Sequence, residues 1–167
     1  LLVQNYDPST LITGIQPAWS LVIELVFYLA LPVLVLAALM LTRQTKTRTQ
    51  RVLALLFPAA LMAAIGISSL ILGPHYTQDL NTWQAVWYFS FLTHAHLFAP
   101  GLALAVARIE YEDGRFRLPS RWRPAAAVAA AAVAVTALWL FGEEAVPAAT
   151  ASALIALSFG AFVALVV

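Results

Sequence analysis

The apolar positions of this chain run together in long blocks, separated by short connections that hold the charges and most of the turn residues. A bilayer core about 30 Å thick is crossed by about 20 apolar residues of helix. On that measure five blocks are predicted as membrane helices, near 19–41, 52–73, 85–107, 125–142 and 146–167. The first contains a single charge, Glu24; the second has none; the third has no formal charge but holds His94 and His96. The fourth is short and mostly alanine, so hydropathy contributes least there, and its small side chains favour close helix approach. Residues 1–18 form an outer segment with a turn signal at Pro8-Ser9-Thr10 and a breaker at Pro17, just before the first helix. Pro32, Pro58 and Pro100 fall inside predicted helices, where each removes a backbone hydrogen bond and tends to kink the rod. The expected fold class is all-α: a polytopic transmembrane bundle forming one domain over 1–167.

Composition excludes other classes. The 167 residues are 62% hydrophobic and 10% charged. A soluble domain carries roughly a quarter charged residues, and disorder needs low hydrophobicity with high charge. The net charge of +1 supplies no field for nucleic acid. With no cysteine there is neither a disulfide nor a thiolate metal site, and no metal is expected. The chain begins at a leucine and ends inside an apolar run, so it is read as a piece of a longer membrane protein.

The cations then orient the helices. Arg43, Lys46, Arg48 and Arg51 lie in the first connection, and Arg108, Arg115, Arg117, Arg121 and Arg123 at or in the third. These are all the basic residues, and they fall on alternate connections. Cytoplasmic loops are enriched in Lys and Arg. Loops 42–51 and 108–124 are therefore expected at the cytoplasmic face of a plasma membrane. The arginine and alanine bias suggests a bacterial one.

Candidate chemistry concentrates in the first helix. Ser20, Glu24 and Tyr28 recur at helical spacing and share one face. A carboxylate there costs several kcal/mol unless it meets a partner or a water-filled cavity. Two readings follow: Glu24 lines a polar pocket that opens outward, or it lies near enough to the surface to be solvated, with Tyr28 as an interfacial aromatic. In the third block, a spacing of two puts His94 and His96 about 200° apart on a helix, so both cannot face one site. Each is a functional candidate, or else a neutral hydrogen-bonded residue between helices. His75, in the outer loop, reads as surface.

The run Trp19-Ser20-Leu21-x-x-Glu24-x-x-Phe27-Tyr28-Leu29-x-x-Pro32 resembles the signature of the integral-membrane acyltransferase-3 family. It departs at Leu25, where many members have a second acid, and at Val26, where glutamine is frequent. The segment Phe98-Ala99-Pro100-Gly101-Leu102-Ala103-Leu104-Ala105 is similar to that family's Phe-x-x-Gly-Leu-x-Leu-Ala, with His94 where members often place an arginine.

The resemblance implies a membrane O-acyltransferase that moves an acyl group from a thioester donor, acyl-CoA, to a hydroxyl of a sugar-containing acceptor. No cofactor is implied. Glu24, Tyr28 and His94 would be its catalytic candidates, orienting the acceptor hydroxyl or the base. Trp19, Ser20 and His96 would line the acceptor path, although interfacial anchoring is the commoner use of a tryptophan. Arg115 and Arg117 would meet the donor phosphates, although topology alone also accounts for them. The family's own base is a histidine on its first helix, about three turns after an arginine. No such pair occurs on a membrane helix here. The resemblance thus covers a middle-to-late part of the family's domain, and the chain alone is expected to be inactive. The rival reading is a transporter or channel segment with Glu24 and His94 as pathway residues.

Overall fold

The computed structural model describes residues 6–11, 18–74, 79, 81–114, 122–142, 154–158, 160 and 161. Its regular elements are helical among the described residues: α1 (Ala18–Thr42), α2 (Arg48–Leu72), α3 (Trp83–Tyr88), α4 (Phe91–His94), a 3-10 turn (Ala95–Phe98), α5 (Ala99–Glu112) and α6 (Trp122–Gly142). Three helices are long and apolar enough to cross a membrane: Trp19–Thr42, Arg48–Leu72 and the composite Phe91–Glu112. The apolar stretch Pro124–Thr136 within α6 is shorter. Residues 154–158 are helical, and the rest of the predicted fifth helix lies outside the described residues.

Local chemistry moves two boundaries away from the expected ones. The second helix starts at Arg48, before the uncharged block, because Thr47 and Gln50 form a capping box. Thr47 Oγ1 accepts from the Gln50 N–H at 3.3 Å, and Gln50 Oε1 accepts from the Thr47 N–H at 3.3 Å. Two N–H groups that a helix start leaves without partners are thereby satisfied.

The predicted helix 85–107 is replaced by a more broken arrangement. The chain turns at Phe89-Ser90 and then continues through α4, the 3-10 turn and α5 to Glu112. Pro100 does not kink the middle of a rod; it occupies the first turn of α5. Having no N–H, it cannot donate to the His96 carbonyl one helical turn back, and the Ala99 N–H donates there instead. That shorter bond is the tighter 3-10 pattern.

Packing follows side-chain size. Leu34 of α1, Met62 of α2, and Ala95 and Ala99 of the third span form the buried core, flanked by Ala30, Leu61, Phe91 and Leu102. Phe27 stacks on Phe98 with centroids 4.1 Å apart and planes 9° apart. Gly66 of α2 lets the 3-10 turn come close. A Cβ there would lie 2.7 Å from both Cβ and Nδ1 of His96 and would also collide with its backbone nitrogen. Small residues at such crossings are the usual means of helix association in lipid. Gly160 abuts Pro100 in the same way, since a Cβ on it would lie 2.5 Å from Pro100 Cβ. The last helical piece therefore packs on the third span. Outward-facing positions are apolar as well, for example Leu29 (69% exposed) and Val33 (66% exposed). A helix apolar all round suits a lipid surround.

The ion pairs among the described residues lie at one end. Arg48, at the start of α2, binds Glu110, near the end of α5, through Nε at 3.1 Å and Nη2 at 2.7 Å, both to Oε2. This bridge brings the 42–51 connection and the Arg108 region to the same end of the bundle. Arg108 Nε pairs with Glu112 Oε1 at 2.6 Å on the α5 surface. Before α1, the Asp7 turn is closed by the Thr10 N–H donating to Asp7 O at 3.1 Å. The Ser9 hydroxyl and N–H, both donating to the Asp7 carboxylate, hold its carboxyl below the usual range.

Candidate functional site

The end away from the cations gathers aromatic rings around His94. Trp19, in the first turn of α1, lies 5.5 Å from the His94 ring and 5.1 Å from Phe89, with Phe89 edge-on. Tyr88 approaches His94 edge-on at 6.1 Å. The break after α3 sets this arrangement, because Tyr88 and Phe89 end one helix and Ser90 starts the next. The break is itself braced: Thr93 Oγ1 donates to Trp87 O at 2.7 Å, and Trp87 Nε1 donates to Ser69 O of α2 at 3.3 Å. Thr93 is 2% exposed, and its hydroxyl joins the Ser90 N–H, at 3.1 Å, as a second donor to the Trp87 carbonyl.

Both histidines are held by backbone. His94 Nδ1 lies 3.1 Å from Ser90 O, and His96 Nδ1 lies 3.1 Å from Thr93 O. A carbonyl oxygen only accepts, so Nδ1 carries the proton in each ring, and Nε2 of the neutral ring keeps its lone pair. His94 Nε2 has no hydrogen-bond partner among the described residues. His96 is 3% exposed, against Gly66. The two rings thus serve different neighbours, His94 facing α1 and His96 facing α2. His94 is half-buried and lies only about 5 Å of helix rise into the third span, close to its end and not deep within it.

The face of Ser20, Glu24 and Tyr28 is directed elsewhere. Trp19, Ile23, Phe27, Ala30 and Leu34 form the inward stripe of α1, and the Ser20–Glu24–Tyr28 row is rotated off it by about 100°. Ser20 is half-buried, Glu24 is exposed and Tyr28 is 62% exposed. The Glu24 carboxylate has no partner among the described residues. It lies about 9 Å along the axis from Ala18. The structure therefore brings Trp19 and His94 together, places His96 behind them, and leaves Glu24 and Tyr28 on another face. Arg115 and Arg117 lie outside the described residues, as does His75. Among the described residues no group of three or more metal-ligating side chains comes together.

Three contributors were not singled out from the sequence. Thr93 and Gly66 act through backbone geometry, which one sequence does not display. The pairing of Arg48 with Glu110 joins residues far apart in the chain, although Glu110, as an acid within a cationic stretch, was a usable signal. The chain matches no family model, no curated protein and no solved structure.

Proposed function

We propose that this chain forms the acceptor-side part of a membrane O-acyltransferase. The observation that carries the reading is contact between the two stretches that resemble the acyltransferase-3 family. Trp19, the first residue of one, packs on His94, and Phe27 of the same run stacks on Phe98, where the other begins. In this reading the basic end is cytoplasmic and faces an acyl-CoA donor, with Arg115 and Arg117 as phosphate contacts. The aromatic end receives the sugar. Trp19 offers its ring face to the pyranose, and His94 Nε2, its ring fixed by the Ser90 carbonyl, accepts a hydrogen bond or proton from the acceptor hydroxyl.

The acceptor oxygen attacks the thioester carbonyl, and the C–S bond breaks as the ester C–O bond forms. The hydroxyl proton passes through a base to the departing thiolate. Glu24 and Tyr28, on an apolar helix with no described partner for the carboxylate, orient an acceptor or a base on a neighbouring element. That assignment rests on the cost of an unpaired carboxylate in a membrane helix. The family's histidine on its first helix has no counterpart here, so the test needs the full-length protein.

The experiment is Glu24→Gln and His94→Ala in that protein, followed for acylated product and for substrate flux. Acyl transfer should fall by at least tenfold in each variant while flux is unchanged. Loss of flux with product formation intact would support the transporter reading instead. Glu24 and His94 lie on different faces of the described bundle, so no polar path joins them there.

A further inference from the structure

At the charged end, the α1–α2 connection encloses a cleft of about 590 Å³ lined by Arg43, Lys46, Arg48 and Arg51, with Thr42 and Thr45 among its other walls. Among the described residues no acidic side chain lines it. The described carboxylate that pairs with a residue of the cleft is Glu110, held by Arg48. The side chains of Arg43, Lys46 and Arg51 have no carboxylate partner and no hydrogen bond among the described residues. The threonines do not neutralise them: Thr42 and Thr45 donate their hydroxyl protons to Leu39 O at 2.8 Å and Thr42 O at 2.7 Å. Three cations unpaired among the described residues and bordering one cleft make a positive potential there that favours an anion. The turn is nevertheless well formed, with a capping box at Thr47 and the Arg48–Glu110 bridge fixing the start of α2. It also connects two membrane-spanning helices, so the cleft opens at the level where lipid phosphates lie.

We propose that this cleft binds a phosphate group, presented by an anionic lipid headgroup or by a soluble phosphate ester, with Arg43, Lys46 and Arg51 as its ligands. Arg48 is the positioning residue, held in place by Glu110. The site is independent of the acyl-transfer reading and is present whether the protein is an enzyme or a transporter.

The test uses the full chain, purified in a zwitterionic detergent. Native mass spectrometry reads how much phosphatidylglycerol it retains relative to phosphatidylcholine. A separate calorimetric titration with inorganic pyrophosphate, in phosphatidylcholine nanodiscs, reads the soluble source. The wild type should retain the anionic lipid in preference. Each charge removed among Arg43→Gln, Lys46→Gln and Arg51→Gln should weaken binding about fivefold. Arg108→Gln, whose partner Glu112 lies outside the cleft, should have little effect. Pyrophosphate binding with no lipid preference, lost in the same variants, would keep the phosphate site and assign it to a soluble ligand. Should the triple variant fail to fold, Lys46→Gln alone, on an exposed turn residue, still reads the effect. Lipid retention and pyrophosphate binding both unchanged by Lys46→Gln, or an equal loss in Arg108→Gln, would overturn the proposal and leave the cations as topological signals only.

Discussion

The two ends of the described bundle solve the problem of polar groups beside lipid in opposite ways. At the aromatic end nothing described in the break carries a formal charge. Two imidazole Nδ1–H groups, a threonine hydroxyl and an indole N–H all donate to backbone carbonyls, those of Ser90, Thr93, Trp87 and Ser69. At the basic end the bundle is closed by charge, with a two-bond bridge from Arg48 to Glu110, and Arg43, Lys46 and Arg51 have no carboxylate among the described residues. Neutral polar groups held by backbone can lie at the edge of a hydrocarbon layer with little desolvation cost, whereas ions need partners or water. The aromatic end is accordingly held by neutral hydrogen bonds and ring contacts, and the basic end by an ion pair, whose strength depends on salt.

Substitutions can break this contrast, and the largest effect is expected at Gly66. Valine there would press into the backbone of the 3-10 turn, which cannot yield as a flexible side chain can. Overpacking of this kind costs about 1–3 kcal/mol or more. Unfolding in a graded denaturing detergent should show Gly66→Val to be the least stable variant, insensitive to salt. Next comes Arg48→Gln, which strands the Glu110 side chain, 11% exposed, without its partner. Because the Arg48 side chain is itself 58% exposed, the loss should be about 2 kcal/mol, below that for a fully buried pair. The double variant Arg48→Gln with Glu110→Gln should recover much of it in a mutant cycle.

The histidines sharpen the contrast further. His96→Ala leaves a cavity beside Gly66 and should destabilise by about 2 kcal/mol. His94→Ala, at a half-buried ring, should destabilise by less than about 1 kcal/mol yet remove most activity. Equal stability losses in the two would mean that the rings do not serve different roles. Glu24→Gln alone should cause no loss of stability: it removes the cost of a carboxylate without a described partner on an apolar helix, so stability should hold or rise.

The helical, apolar character of the chain was legible because spans need long uninterrupted blocks, and such blocks are visible without any knowledge of packing. What was not legible was the interruption at Phe89-Ser90. Neither residue is a glycine or proline, and the break is held by contacts across it, the Ser90 N–H and the Thr93 hydroxyl both donating to Trp87 O. Pro100 was read as a kink because sequence does not say where a helix restarts around a proline. The Thr47–Gln50 capping box has the spacing of a helix start, but it lies among charged residues ahead of the uncharged block that marks the span. At the site, the separation of His94 from His96 follows from helical geometry. The outward placement of Glu24 does not, because a shared face with Ser20 and Tyr28 says nothing about which neighbour that face meets.

Acyl transfer itself is tested most directly by supplying a labelled acyl thioester to membranes holding the full-length protein. The readout is label in alkali-labile ester on a sugar-containing acceptor. The expected result is such label with the wild type, reduced at least tenfold by His94→Ala while the protein remains folded in the membrane. Ester label that is absent from the wild type, or unchanged by His94→Ala, would contradict the assignment of the aromatic end to acceptor chemistry.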